Sequence, residues 1–236
     1  MATPYADVMT WLVLQHMSFE GPALIGEVAR SRGIDMRILR TDLGEPVPSP
    51  DAVESYDGIV ILGGAMGALD DDEHPFLRAE RELVAAAINR DVPVLGMCLG
   101  AQIIALAAGA DLLEGHGSED GLGTVELTVH GLADPVVGPV GETVPVFHWH
   151  EDTFTLPEGA TLLASNDEYE HQAFRLGPVT YGFQFHLEMG PDELAGIADA
   201  LPAAADRDPE RALAVATVGR GVFERYFDAV ATHQAV

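Results

Sequence analysis

The sequence contains no lysine: all 12 of its basic residues are arginine, and they stand against 38 acidic residues for a formal net charge of −26. Without lysine the chain cannot form a Schiff base, bind pyridoxal phosphate covalently or build a phosphate-binding loop that ends in Gly-Lys. Such a large negative charge also argues against nucleic acids and anionic membranes as partners, because both bind cationic protein surfaces. We therefore expect neither nucleic acid nor a membrane as a partner.

Cysteine is almost absent as well, since Cys98 is the only one in 236 residues. An intramolecular disulfide is therefore excluded, which is typical of proteins of the reducing cytoplasm. No apolar stretch reaches the roughly 20 residues of a membrane-spanning helix. Residues 1–17 show neither the basic start nor the cleavage site of a secretory signal. These observations predict a cytoplasmic protein.

Apolar runs and amphipathic helical patterns alternate through the first half of the chain. Strand-like runs occur at residues 10–16, 35–40, 59–64 and 92–98. Continuous apolar strands separated by helices indicate a parallel sheet that is covered on both faces. The pattern predicts an α/β fold with an open, mostly parallel (flavodoxin-like) twisted sheet and helices on both faces.

The second half of the chain has a different pattern. Residues 123–186 contain shorter β-rich segments, beginning with a strand over residues 123–131, and we expect them to add an antiparallel β segment to the same sheet. A helical region from Pro191 to about Ala235, with a break near residues 206–210, completes the chain. With no linker-like composition to divide it, residues 1–236 are predicted to form a single domain.

Cys98 lies in the segment Gly-Met-Cys-Leu-Gly, between a strand pattern and a helix pattern. An isolated cysteine is usually a small buried apolar residue. Here the flanking glycines match the Gly-x-Ser-x-Gly nucleophile elbow, with sulfur in place of oxygen. Such a turn exposes the thiol at the carboxyl edge of the sheet, places the Leu99 N–H as half of an oxyanion hole, and directs a helix N-terminus at the sulfur.

The base that activates such a thiol can come from a distant part of the sequence. Among nine histidines, His186 is the best candidate, because it ends a strand pattern and Glu188 follows two residues later. On an extended chain these side chains project from the same side, so the carboxylate can orient the imidazole. An isolated His-x-Glu is more often a chance surface pair, but beside a glycine-framed cysteine it predicts a base and its orienting acid.

The loop after the third strand has the sequence Gly-Gly-Ala-Met-Gly, from Gly63 to Gly67. Active sites of open α/β sheets lie outside the carboxyl ends of the strands, where this loop and the Cys98 elbow should meet. Because glycine leaves its N–H accessible, Gly63 and Gly64 are candidates for the other half of the oxyanion hole. A phosphate-binding loop is the alternative, but neither Gly-x-Gly-x-x-Gly spacing nor a lysine supports it.

Together these segments resemble the class I glutamine amidotransferases, especially freestanding proteins similar to the glutaminase part of GMP synthase. The resemblance covers about residues 10–190 and rests on "HMSFEGP", "ILGGAMGALDDDEHPF", "PVLGMCLGAQIIA", "VFHWHEDTFTLPEGATLLASND", "HQAF" and "YGFQFHLEM". It implies that Cys98 is the nucleophile, His186 the base and Glu188 its orienting acid. The implied reaction is hydrolysis of a γ-glutamyl amide through a thioester, without a cofactor.

The same resemblance assigns binding roles around the nucleophile. Gly64 and Leu99 would donate the oxyanion N–H groups, and Gln102 would help to hold the substrate. His150, in the segment His-Trp-His-Glu-Asp, matches a loop that lines the glutamine pocket. His148 and His150 have the spacing of a metal-binding pair on a strand, but without clear further ligands we expect no metal.

Two departures from the family pattern bear on specificity. Ala65 follows the double glycine where many relatives have proline, and residues 115–123 replace a Lys-Glu-x-Gly-Trp-like segment that borders the substrate's α-amino end. Three functions therefore stay open: a glutaminase that passes ammonia to a separate synthetase, an independent γ-glutamyl peptidase or hydrolase, and a non-catalytic relative.

Overall fold

The computed structural model describes residues 9–200 and 208–235. Its strands are β1 (Thr10–Gln15), β2 (Asp35–Arg40), β3 (Gly58–Ile61), β4 (Val94–Met97), β5 (Leu112–Leu113), β6 (Glu119–Leu127), β7 (Thr143–His150), β8 (Thr153–Phe154), β9 (Thr161–Ser165), β10 (Ala173–Leu176) and β11 (Thr180–Phe183). Its α-helices are α1 (Ala23–Ser31), α2 (Phe76–Asn89), α3 (Leu99–Ala107), α4 (Val129–Ala133), α5 (Pro191–Ala200) and α6 (Pro209–Gln234).

Nine of the strands form one sheet in the order β2-β1-β3-β4-β11-β10-β9-β6-β7. The strands from β2 to β11 run parallel to one another, whereas those from β11 to β7 pair in antiparallel fashion. The order of the parallel half is that of a flavodoxin-like doubly wound sheet. The predicted fold class, including the added antiparallel segment, is confirmed.

Strand β1 shows why the parallel strands are apolar along their whole length. Trp11 and Val13 pack in a core that includes α1 and α6, while Leu12 and Leu14 pack in a second core that includes α2 and α3. All four side chains are completely buried. Since successive residues of a strand point to opposite faces, two covered faces require an uninterrupted apolar run.

The sequence prediction was wrong about part of residues 123–131. Strand β6 already begins at Glu119, and helix α4 replaces the predicted strand from Val129 onward. The Oγ1 atom of Thr128 accepts a hydrogen bond from the N–H of Gly131 at 3.0 Å. This bond caps the helix and ends the strand, because it satisfies one of the N–H groups that a first helical turn leaves free.

Helices α5 and α6 agree with the predicted helical C-terminal region. Of the predicted break near 206–210, residues 206 and 207 lie outside the described residues, whereas Asp208 caps α6, which begins at Pro209. Residues 1–8 of the segment inspected for a secretory signal lie outside the described residues too. Within the described ranges, no helix combines the length and the apolar character needed to cross a bilayer.

Candidate active site

The carboxyl ends of three adjacent parallel strands carry the predicted catalytic segments. β3 leads to Gly63 and Gly64, β4 leads directly to Cys98, and β11 ends at Phe183, shortly before His186. The chain at His186 stays extended past the end of β11, because its backbone exchanges hydrogen bonds of 3.1 and 2.8 Å with Phe147 of β7. The topology therefore brings the segments together at one edge of the sheet, as expected for this fold.

Cys98 occupies a strained turn between β4 and α3. Its φ of 51° and ψ of −108° lie in a region that side chains other than glycine rarely adopt. The Cys98 N–H donates to the Phe183 carbonyl at 2.8 Å, which ties the turn to the neighbouring strand. A Cβ atom at Gly96 would lie only 2.5 Å from the backbone of Gly100, so the tight turn depends on both glycines.

The thiol of Cys98 reaches a cavity of about 400 Å³ above the sheet. Its Sγ atom lies 3.4 Å from the Trp149 carbonyl, to which the thiol can donate. Helix α3 begins at the next residue, Leu99, so the positive end of the helix dipole lies beside the sulfur.

His186 and Glu188 form the hydrogen bond that their spacing predicts. The Nδ1 atom of His186 lies 2.5 Å from Oε1 of Glu188, and both side chains are buried. We assign the Nδ1 proton to this bond because a carboxylate can only accept. The other carboxylate oxygen accepts the Leu187 N–H at 3.0 Å, which fixes the orientation of the acid.

The charges around His186 favour its protonated form. Burial opposes the charge, but the Glu188 carboxylate and the Cys98 thiol outweigh it, so the pKa of His186 is raised well above its ordinary value. Its Nε2 atom is buried and has no aligned hydrogen-bond partner among the described residues. Because Nδ1 is bonded to Glu188, Nε2 is the ring nitrogen that is left to interact with another group.

The glycine loop packs directly against the elbow. A Cβ atom at Gly64 would lie 2.8 Å from the Cδ2 atom of Leu99 and 3.0 Å from the Cβ atom of His16. Only glycine lets these segments approach so closely. Gly64 also lines the cavity together with Cys98.

His16, directly after β1, is a site residue that the sequence analysis did not identify. Its Nδ1 atom lies 3.0 Å from the Gly63 carbonyl, and its Nε2 atom lies 2.9 Å from Oε2 of Glu80. Because the C=O and the next N–H of a trans peptide point in opposite directions, a bond to the Gly63 carbonyl directs the Gly64 N–H away from His16. The His16–Glu80 pair therefore fixes the plane of the peptide that carries this N–H.

Replacing Glu80 by glutamine should make stability less dependent on pH. Burial opposes charge on His16, but Glu80 outweighs it, and the pKa of His16 is raised from 6.5. The stabilisation that a charged His16 gains from Glu80 is complete below pH 6.5 and is lost as the pH rises through the raised pKa of His16. We expect Glu80→Gln to reduce the free energy of unfolding by about 3 kcal/mol near pH 6 and by less near pH 9.

Urea unfolding at the two pH values measures this difference. Glu82→Gln, which changes an exposed side chain on the same helix, should alter stability by less than about 0.5 kcal/mol at both. Equal losses for Glu80→Gln at the two pH values would contradict a charged His16.

Glu20 is a second residue of this region, one that the sequence left open between the start of a helix and the wall of the pocket. Its carboxyl group is buried beside His186, and neither oxygen has an aligned hydrogen-bond partner within the described ranges. Burial raises the pKa of Glu20, against the lowering effect of His186, and Glu188 adds to the increase. A Cβ atom at Gly63 would overlap this carboxyl group, which explains the first glycine of the loop.

The remaining predicted residues surround the cavity or lie behind it. Gln102 extends from α3, and its Nε2 atom donates to the Asp152 carbonyl and to Oε1 of Gln184, each at 3.3 Å. Two side chains of the divergent segment, Ser118 and Asp120, also line the cavity. His150 lines it as well, but its ring is buried and points to Glu119. The structure thus brings all of the predicted site residues to one region.

Comparison with known proteins points to the same family that the sequence motifs resemble. The family model "Glutamine amidotransferase class-I" matches residues 23–196. The glutamine amidotransferase-like protein YfeJ of Salmonella typhimurium is 34% identical over 185 residues, which are 77% of this chain and 77% of that protein. A glutamine-hydrolyzing GMP synthase subunit from Thermoplasma acidophilum is 30% identical over 69% of this chain and 76% of its own length.

A hydrolase and a solved structure extend the comparison. A γ-glutamyl-L-1-hydroxyisopropylamide hydrolase from Pseudomonas is 29% identical over 67% of this chain and 57% of its own length. The crystal structure of a glutamine amidotransferase from Thermotoga maritima superposes with a TM-score of 0.79 and 29% identity, and it covers 96% of this chain and 98% of that one. This chain belongs to the class I glutamine amidotransferase family.

Proposed function

We propose that the protein hydrolyses the amide bond of a γ-glutamyl compound, with glutamine as the principal substrate and Cys98 as the nucleophile. The observation that carries the proposal is the arrangement at the sheet edge: a cysteine on a strained turn and a buried histidine lie at the carboxyl ends of adjacent strands, and Nδ1 of the histidine is hydrogen-bonded to Glu188. Cysteine hydrolases use such a set: a nucleophile, a base that takes its proton, and a group that orients the base.

The proposed reaction uses each of these groups in turn. His186 takes the thiol proton, and the thiolate attacks the γ-carbonyl carbon. The N–H groups of Leu99 and Gly64 stabilise the resulting oxyanion. The imidazolium then gives its proton to the departing ammonia, and water, activated by the same ring, hydrolyses the γ-glutamyl thioester to release glutamate. We infer no metal or organic cofactor in these steps.

The proposed substrate position follows from the cavity. An acyl carbon near Cys98 places the glutamyl chain along Gln102 and the wall formed by residues 149–152. The α-amino end would then lie near Ser118 and Asp120, where a carboxylate is available to pair with an ammonium group. This side of the cavity is formed by the segment that departs from the family pattern.

We further propose that this protein works as a freestanding cytoplasmic glutaminase that delivers ammonia to a separate synthetase. The likeness to the Thermoplasma protein, which is named as a GMP synthase subunit, supports this arrangement. An independent γ-glutamyl hydrolase is the second candidate, supported by the Pseudomonas relative and by the divergent segment at the cavity. A complete set of Cys98, His186 and Glu188 argues against a non-catalytic relative.

A panel of substrates tests these alternatives. We expect the purified protein to release glutamate from glutamine, and to do so faster when the partner synthetase and its substrates are present. Turnover of γ-glutamyl dipeptides or alkylamides that exceeds turnover of glutamine would instead support the independent hydrolase. Absence of glutamate release from every γ-glutamyl compound, with and without candidate synthetases, would overturn the proposed function.

A further inference from the structure

Two neighbouring strands present three metal-ligating side chains on one face. In the antiparallel register of β6 and β7, Glu119 lies directly opposite His150, and Gly121 lies opposite His148. Opposite residues of such a pair project to the same face, as do residues two apart on one strand. Glu119, His148 and His150 therefore share a face, and the His148 ring lies against Gly123, where a Cβ atom would be only 2.7 Å from its Cδ2 atom.

The three side chains bring their ligating atoms together. One ligand atom from each lies within 4.8 Å of the others. The Oε2 atom of Glu119 is 2.9 Å from Nε2 of His150 and 3.6 Å from Nδ1 of His148. Ligands at about 2.0–2.2 Å from a tetrahedral zinc ion are separated by roughly 3.3–3.6 Å. The cluster thus has the dimensions of a metal site after only small side-chain adjustments.

The nitrogen atoms that face Glu119 have no aligned hydrogen-bond partner in the described part of the chain. They are Nδ1 of His148 and Nε2 of His150. These two residues are only 5% and 7% exposed, respectively. An ion pair between Glu119 and His150 alone would leave the His148 nitrogen buried and unsatisfied, which is unfavourable. A cation between the three groups would satisfy both nitrogens at once.

The surroundings orient the three groups toward their common centre. Nδ1 of His150 donates to the Asp152 carbonyl at 3.2 Å, so the Nε2 lone pair is left to bind a cation. The Glu119 carboxylate accepts hydrogen bonds from Asn166 at 2.7 Å and from Gln172 at 2.5 Å. Such outer contacts, which fix the tautomer of a histidine and the orientation of a carboxylate, are typical of metal sites in proteins.

We propose that Glu119, His148 and His150 bind one divalent transition-metal ion of the Zn²⁺ class. Two imidazoles and one carboxylate suit zinc and similar ions rather than calcium or magnesium, which prefer oxygen ligands. The proposal departs from the expectation of no metal, because Glu119 supplies the further ligand that was missing. It is independent of the proposed hydrolysis, whose steps do not use the ion.

The ion would stabilise the wall of the cavity. It would link β6 to β7 through His148 and His150, which lie on either side of Trp149, whose carbonyl contacts the Cys98 thiol. The Glu119 ligand belongs to the divergent segment 115–123. This segment would then both anchor the metal and contribute Ser118 and Asp120 to the cavity.

Zinc binding to the full-length Cys98→Ser protein tests the proposal, because this substitution removes the thiol as a competing ligand. After treatment with a chelator, we expect calorimetric titration to show one Zn²⁺ per chain, and Co²⁺ to give the visible absorption of a tetrahedral site. Glu119→Gln or His148→Ala in the same background should weaken Zn²⁺ binding by at least about 100-fold. His130→Ala, at an exposed histidine on α4, is the matched control and should leave binding unchanged.

Thermal unfolding provides the second measurement. Zn²⁺ should raise the melting temperature of the Cys98→Ser protein and of its His130→Ala control, but not that of folded Glu119→Gln. Circular dichroism establishes which variants fold, and Glu119→Gln serves as the main test because its shape is conserved. No Zn²⁺ binding by the Cys98→Ser protein, or binding that survives Glu119→Gln and His148→Ala unchanged, would overturn the proposal and leave the cluster as a hydrogen-bonded ion pair.

Discussion

Replacing Cys98 by serine should slow glutamate release by about 10⁴-fold or more while leaving the fold intact. The substitution replaces only the Sγ atom, so the strained turn and its backbone bond to Phe183 can persist. The hydroxyl, however, ionises far less readily than a thiol and is a much weaker nucleophile at neutral pH. The substitution therefore removes the nucleophile but keeps the oxyanion donors.

The assay compares wild-type protein, Cys98→Ser and Glu82→Gln on the substrate that the panel identifies. Glu82→Gln is a surface control and should retain wild-type turnover. A glutamine-like chloroketone should add once to the wild-type chain and not at all to Cys98→Ser, and because Cys98 is the only cysteine, the site of thiol labelling is unambiguous. Glutamate release by Cys98→Ser at a rate within tenfold of wild type would exclude Cys98 as the nucleophile.

The positions of the segments that carry Cys98, His186 and Glu188 could be predicted because each depends on local chemistry and on strand order. The glycines around Cys98 require a tight turn wherever that strand lies in the sheet. His186 and Glu188 are two residues apart on an extended chain, so their hydrogen bond needs no knowledge of the fold. Parallel strands separated by helices then place their carboxyl ends at one edge. The sequence was therefore sufficient to predict that Cys98, His186 and Glu188 lie at the same edge of the sheet.

The residues that were missed depend on pairings between distant parts of the chain. His16 and Glu80 are separated by 64 residues, and their contact arises from the packing of α2 against the end of β1. Glu119 was missed for a more specific reason: the strand was predicted to start at Gly123, which left Glu119 outside it. Only the observed register places Glu119 opposite His150 and turns a pair of histidines into a three-ligand cluster.

Replacing Gly100 by alanine should have the largest effect on folding. In most helices this change stabilises by about 1 kcal/mol, because alanine has the higher helix propensity. Here the added Cβ atom would overlap the Ile61 carbonyl at the end of β3, and backbone on both sides limits relaxation. Overpacking against flexible side chains typically costs about 1–3 kcal/mol. Because fixed backbone cannot move aside in the same way, we expect Gly100→Ala to lower the free energy of unfolding by about 4 kcal/mol or more. A typical domain has a free energy of unfolding of about 5–15 kcal/mol, so this is a large part of it.

Urea unfolding and the yield of soluble protein measure this loss. Gly196→Ala is the matched control, since Gly196 is an exposed glycine of α5 with open space where the Cβ atom would lie. It should leave stability unchanged or raise it by up to about 1 kcal/mol. If Gly100→Ala instead shows the same small gain as Gly196→Ala, α3 and β3 cannot be in the close contact that holds Cys98 at the sheet edge. The strained turn, and with it the position of the proposed nucleophile, would then have to be reconsidered, because Cys98 directly precedes α3.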